Sequence, residues 1–257
     1  MEKYFCKIGF CVVFSTFFLS VCSISSNAEL LAYEGFDHEP HVYGSVSGLA
    51  GGGDFPDFGW AGSWSHVYIP SKSDQAGEIL EGSLEYPGVV SHGNKLKFTR
   101  EVSRRLKTTA GGTNGTVWVS MFFRQNSKKI TSEIKLQSGN DDVLSIICQG
   151  NGQINLDGVS TGVSVSEGTR FYLLRIDFAS EGNTAYLWVN PNLLSEPSAS
   201  TANATKTYEE NWSFDKLFYK CRGGTYFFYL DEIRISTTFK DALRSSGLPL
   251  GTTIFVK

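Results

Sequence analysis

Two groups of residues have the types and spacing to engage a ligand. Trp60, Trp64 and Tyr68 recur every fourth residue on a glycine-rich stretch, where flat aromatic faces can stack on the apolar faces of sugar rings. Arg124, Arg175 and Asp177 lie in strand-like segments and would offer donors and acceptors to hydroxyls if they line a groove. Each group also has a purely structural reading. Tryptophans beside Gly and Ser also act as lids on a sandwich core, and an Arg and an Asp on one strand face also form ion pairs on a solvated sheet. Trp118 and Trp188, inside strand-like runs, read as core or sheet-face residues.

Asp231 poses a different problem. By alternation it shares a face with Ile233 and Ile235, while Glu232 and Arg234 point the other way, so a carboxylate is aimed toward the core and needs a partner there. Either backbone donors at the rim supply it or a hard cation such as Ca2+ does. Cys148 and Cys221 are either a disulfide, if their Cβ atoms face each other closely, or two buried thiols. They have no CxxC spacing, and His38, His41, His66 and His92 lie far from them in sequence, so a metal site built on the cysteines is not expected.

These residues have to be positioned by strands. From about Lys95 the chain reads as short β-rich runs punctuated by Gly, Asn, Ser and Asp, the spacing of an antiparallel sandwich. The runs are Leu96 to Val102, Thr116 to Arg124, Ser132 to Leu136, Val143 to Cys148, Gln153 to Leu156, Arg170 to Phe178, Thr184 to Val189, Phe214 to Lys220 and Tyr226 to Ser236. Turn residues at Gly139-Asn140, Gly150-Asn151-Gly152, Asp157-Gly158 and Gly182-Asn183 suit tight hairpins. In Arg170 to Phe178, the residues Tyr172, Leu174, Ile176 and Phe178 form one face, with Arg175 and Asp177 on the other. In Thr116 to Arg124 both faces are largely apolar, which predicts a central strand covered on both sides or one whose aromatics face a groove. Asn192 to Glu210 reads as a long surface loop, and Thr237-Thr238 as the cap of a short helical turn over Phe239 to Arg244.

Bulk properties narrow the classes. Lys3 and Lys7 followed by an apolar run from Ile8 to Cys22 form a signal peptide, too short to span a bilayer comfortably, with cleavage expected after Ala28. An uncleaved anchor, or lipidation at Cys22 within Leu19-Ser20-Val21-Cys22, is the alternative. About 229 residues follow Ala28, enough for one large all-β domain over 29–257. The formal charge is −3, and near −4 without the signal segment, which argues against nucleic acid as a partner. The basic clusters Arg104-Arg105-Lys107 and Lys128-Lys129 read as solvated loops. Sequons at Asn114, Asn203 and Asn211 matter only in a eukaryotic host.

The two ends of the chain, Leu30-Leu31-Ala32-Tyr33-Glu34-Gly35-Phe36-Asp37 and Phe228-Tyr229-Leu230-Asp231-Glu232-Ile233-Arg234-Ile235, resemble the first and last strands of concanavalin A-like, laminin-G-like jelly rolls. Gly59-Trp60-Ala61-Gly62-Ser63-Trp64, Val117 to Arg124, Leu174 to Phe178 and Tyr186 to Pro191 extend the resemblance, which is to exported and mostly uncharacterised bacterial members. The resemblance implies an antiparallel jelly-roll β-sandwich. It also implies that the first and last strands pair, which would let Glu34 or Asp37 join Asp231 around a structural Ca2+. The superfold hosts lectins, hydrolases, lyases and inert spacers. The Glu-x-Asp-x-x-Glu strand of laminarinase-like relatives does not occur here, Glu34, Asp37 and Glu39 having the wrong intervals, and no catalytic residue or required cofactor is expected. The reading is therefore non-catalytic recognition of an extracellular polysaccharide or glycoconjugate. A structural or adhesive module without sugar binding is its main competitor, and a glycan hydrolase or lyase comes third.

Overall fold

The computed structural model describes residues 29–38, 58–66, 77–89, 91–222 and 226–244. The signal segment, His41 and Tyr68 lie outside these residues. Two antiparallel sheets face each other. The first has the order β13 (Ala204–Thr207), β12 (Gly182–Val189), β11 (Arg170–Ala179), β6 (Gly115–Gln125), β15 (Phe228–Ser236), β4 (Lys95–Phe98), β3 (Glu78–Leu80), with β1 (Leu30–Glu34) also paired to β15. The second runs β10 (Val159–Ser164), β9 (Gln153–Leu156), β8 (Asp141–Cys148), β7 (Thr131–Ser138), β14 (Ser213–Arg222), β5 (Glu101–Gly111), β2 (Ser65–His66). The chain changes sheet at β1–β2, β2–β3, β4–β5, β5–β6, β6–β7, β10–β11, β13–β14 and β14–β15, so each layer is stitched to the other along its length. This is the all-β sandwich expected from the strand spacing, and the first and last strands do pair. No helix among the described residues is long and apolar enough to cross a membrane.

Alternation decides which residues fill the space between the sheets. Tyr172, Leu174, Ile176 and Phe178 of β11 point inward, as do Val117, Val119, Met121 and Phe123 of β6, and all join the main core. The opposite face of β6 and β11 is also apolar. Trp118, Phe122, Phe171 and Leu173, with Trp188 of β12, make a second core on the outside of the first sheet. The short helix α1 (Phe239–Leu243) covers part of it, with Phe239 5.4 Å from Trp118. Residues 84–89 cover another part, with Tyr86 stacked 5.5 Å from Phe171. Of the two alternatives for β6, the strand covered on both sides is the one realised. Thr238 caps α1 by accepting from the amide of Asp241, as its position before the helical turn predicted.

Three local expectations are corrected. Arg104, Arg105 and Lys107 lie within β5, not in a loop, and Arg104 occupies an inward position between Val102 and Leu106. The stretch 192–210 contains the edge strand β13, and β10, too polar to stand out, closes a hairpin with β9 through Asp157 and Gly158, both at positive φ. The third concerns Asp231. Its register against β6 shifts between Asp231 and Arg234, and Glu232 takes a φ of 52°. This bulge inverts the alternation: Phe228 and Leu230 face the main core before it, Ile233 and Ile235 after it. Asp231 therefore lies on the opposite side of the sheet from Ile233 and Ile235.

The bulge sits where β15 changes partner. Phe228 to Leu230 pair with β4 on that side, and Ile233 to Ser236 pair with β1. Carboxylates meet amides near this junction: Asp231 accepts from the amides of Leu84 (2.7 Å) and Glu232 (2.8 Å), and Glu232 accepts from that of His92 (2.6 Å). The backbone-donor alternative for Asp231 is thus the one the structure contains. Glu232 also pairs with Arg234, whose guanidinium lies 5.3 Å from the Tyr33 ring centre. Cys148 and Cys221 are buried free thiols. Burial raises the pKa of Cys148 and pushes that of Cys221 up to about 12, so neither carries appreciable thiolate at neutral pH.

Candidate functional site

Two members of the expected aromatic platform, Trp60 and Trp64, are turned inward. Trp60 and Trp64 are 0% and 1% exposed, so as a sugar-stacking surface they are ruled out by burial, and their lid reading describes them. Residues 59–61 run along β5: Trp60 bridges Leu106, the Ala61 amide donates to Arg105 O at 2.8 Å, and the Lys107 amide to Gly59 O at 2.8 Å. Gly59 has φ 77°, and a Cβ there would lie 1.8 Å from Leu31 O, so this approach needs glycine. Arg104 fills the space beneath. Its guanidinium is 5.2 Å from the Trp60 ring centre and 5.9 Å from that of Trp64, and its Nε donates to Gly62 O at 3.0 Å. Nη1 is ion-paired to Glu34. Glu34 also accepts from Trp64 Nε1 (3.0 Å) and the Phe36 amide (2.9 Å), and Trp60 Nε1 donates to Tyr33 O (2.7 Å). Both indole N–H groups are thus committed inside the protein.

The same geometry separates the proposed cation ligands. Glu34 is engaged by Arg104, Asp231 by two backbone amides, and Asp37 lies against Gly93, where a Cβ would fall 1.6 Å from Asp37 Oδ1. The three carboxylates do not converge. No group of three or more His, Cys, Asp or Glu among the described residues is placed to hold a metal ion.

Arg124, Arg175 and Asp177 do share the outer face of the first sheet. Arg124 is exposed at one end, 5.4 Å from the Tyr229 ring centre, and on the far side of Tyr229 Lys97 lies 5.0 Å from the Phe227 ring centre. Arg175 pairs in register with Trp118, six residues along β6, a separation of roughly 20 Å at strand rise. The second core fills the face between them. They form two separate surfaces, not one groove.

The Arg175 end is the better organised surface. Its guanidinium lies 5.7 Å from the Trp118 ring centre and 5.6 Å from that of Tyr186. Nε donates to Asp177 Oδ1 at 2.7 Å, and Nη1 approaches Glu196 at 3.7 Å. Thr116 Oγ1 donates to the same Asp177 oxygen at 2.9 Å. The Asp177 carboxylate raises the Arg175 pKa, so the cation is permanent. Arg175 and Asp177 are 26% and 31% exposed, and Thr184, Thr205 and Thr207 continue the row, Tyr186 facing Thr205 and Thr184 facing Thr207 across β12–β13. The result is a partly open ledge of fixed charge, one half-buried tyrosine and several hydroxyls. Tyr186 was missed in the sequence, although its alternation with Trp188 in β12 placed it on this face.

Gly158-Val159-Ser160-Thr161-Gly162 has the Gly-x-Ser-x-Gly form of a nucleophile elbow, which requires a sharp strand-to-helix turn. Here the segment continues as strand β10, and Ser160 is exposed with Oγ bonded to Gln153. It is a hairpin, not an elbow.

No family model and no curated protein matches the sequence. Similar solved structures include a Lotus tetragonolobus seed lectin, at 8% identity over 56% of this chain and 87% of that one with a TM-score of 0.34. A Bacillus licheniformis β-glucanase is 13% identical over 80% of this chain and 97% of its own, TM-score 0.41. An endo-1,3-β-glucanase from Streptomyces sioyaensis is 9% identical over 82% and 96%, TM-score 0.42. At these identities and TM-scores the likenesses carry no argument about superfamily, ligand or chemistry.

Proposed function

We propose that the protein is an exported, non-catalytic β-sandwich that recognises extracellular glycan through the Arg175 ledge. The observation that carries this reading is the fixed guanidinium: flanked by Trp118 and Tyr186 and tied by Nε to Asp177, it offers a rigid plane with further N–H donors to ligand hydroxyls. Preorganised donors of this kind cost little entropy on binding. The neighbouring threonines add hydroxyls on one flat surface. Export follows from the N-terminal Lys3, Lys7 and Ile8 to Cys22 pattern.

A second reading is favoured by a specific observation. Trp60 and Trp64 are buried with their N–H groups satisfied, and α1 with residues 84–89 roofs the aromatic middle of the outer face, as a structural or adhesive module without sugar binding would have them. A glycan array with the folded protein, in Ca2+ and in chelator, separates the two. On the glycan reading the wild type binds and Arg175→Ala weakens binding about 10- to 100-fold, the loss of one or two charge-assisted hydrogen bonds. A blank array from folded protein selects the structural module.

A further inference from the structure

A cleft of about 520 Å³ opens at the end of the sandwich where β5 leaves the second sheet and β6 enters the first. This volume falls in the ordinary range of small-molecule sites, about 300–1,000 Å³. Ala110, Val117 and Phe178 give it an apolar floor, and Thr109, Thr113 and Asn114 stand on its rim. No charged side chain among the described residues lines it. Gly111 shapes the floor: at φ 87°, a Cβ there would fall 2.2 Å from Phe178 Cε1, so glycine lets that ring come close.

The lining selects a ligand class. Neutral hydroxyl and amide groups around an apolar base match a molecule with many hydroxyls at its edge and a C–H face beneath. A carboxylate or phosphate would have no cation to meet, and desolvating it unpaired is costly. Thr116 connects the cleft to the ledge, since it lines the cleft while its Oγ1 donates to Asp177. From this juxtaposition we infer that the β5–β6 cleft is a binding subsite for one neutral sugar unit, the terminal residue of a glycan lying across Asp177 and Arg175. This rests on the glycan reading above for the chain that leads into it, but the cleft has its own chemistry and its own test.

Saturation-transfer NMR on the full protein tests it with glucose, galactose, mannose and N-acetylglucosamine, against glucuronate and galacturonate, and with the neutral oligosaccharide that gives the strongest array signal. Wild type is compared with Thr109→Trp, which fills the cleft from an exposed rim position, with the shape-preserving Thr109→Val/Thr113→Val pair, and with Arg175→Ala. The expected result is transfer to at least one neutral monosaccharide and to neither uronate. That transfer is lost in Thr109→Trp, reduced about 10-fold in affinity in the valine pair and kept in Arg175→Ala, while the oligosaccharide weakens in all three. Equal transfer to uronates, no monosaccharide transfer, or neutral binding unchanged in both cleft variants overturns the subsite. Monosaccharide binding that obeys the cleft variants, beside oligosaccharide binding indifferent to Arg175→Ala, overturns the ledge and leaves the cleft standing.

Discussion

Replacing Arg104 by alanine is expected to destabilise the protein by about 3–5 kcal/mol, the cost of removing one partner of a buried ion pair. Arg104 and Glu34 are 1% and 4% exposed in their side chains, so water cannot take over the lost contact. The substitution would strand Glu34 against the Trp64 indole and the Phe36 amide, remove the bond to Gly62 O, and leave a space beneath Trp60 and Trp64. Glu34→Gln is expected to destabilise comparably, because it leaves the Arg104 charge buried without its partner and offers one amide oxygen to the three donors of Phe36, Trp64 and Arg104. The double variant Glu34→Gln/Arg104→Met should be more stable than Arg104→Ala alone, since the buried charge is gone and the methionine fills part of the space. Urea unfolding followed by tryptophan fluorescence checks all three, with two indoles beside the substitution. An unchanged midpoint in Arg104→Ala would sink the assignment of Arg104 as the pin holding residues 59–64 to β5.

Much of this architecture was legible because strand alternation is a local rule. Tyr172, Leu174, Ile176 and Phe178 could be assigned to one face of β11, and Arg175 and Asp177 to the other, without knowing what lay beyond. The same rule applied to Val102, Arg104 and Leu106 would have turned Arg104 inward, but a cluster of basic residues reads as solvated, and the compensating Glu34 is seventy positions away. Alternation failed at Glu232 for a different reason. A bulge is fixed by where β15 passes from β4 to β1, a tertiary circumstance with no local sequence mark. Beyond that point every face assignment carried from Asp231 is inverted. Arg175 and Asp177 could be given one strand face, while Arg124 was joined to them only as lining of a common groove. Their separation into two surfaces depends on how α1 and residues 84–89 cover the middle, which strand patterns alone do not state. Trp60 and Trp64 show the limit of residue type: a tryptophan beside glycine can stack on a ligand or close a core, and only burial distinguishes the two.

Asp231→Ala is expected to cost about 2–5 kcal/mol, the penalty of leaving two buried amides, those of Leu84 and Glu232, without their acceptors. The amide of Glu232 belongs to a residue at φ 52°, so the carboxylate also holds a backbone conformation that a non-glycine residue rarely adopts. Asp231→Asn keeps one acceptor oxygen and should cost less, and it exposes a dependence on pH. Burial first, and the nearby Glu232 charge second, hold the Asp231 carboxyl well above the usual carboxylate range. A carboxyl with a raised folded-state pKa binds its proton more tightly in the folded protein than in the unfolded one. Its stabilising contribution is therefore complete below about pH 4, the unfolded value, and is lost as pH rises through the folded-state value. The stability of the wild type relative to Asp231→Asn should accordingly fall as pH is raised from 4 to 7, measured as paired urea midpoints. A relative stability that rises over that interval would mean that the Leu84 and Glu232 amides outweigh burial and keep Asp231 ionised; the carboxylate would then serve as a fixed negative anchor for the β4-to-β1 changeover.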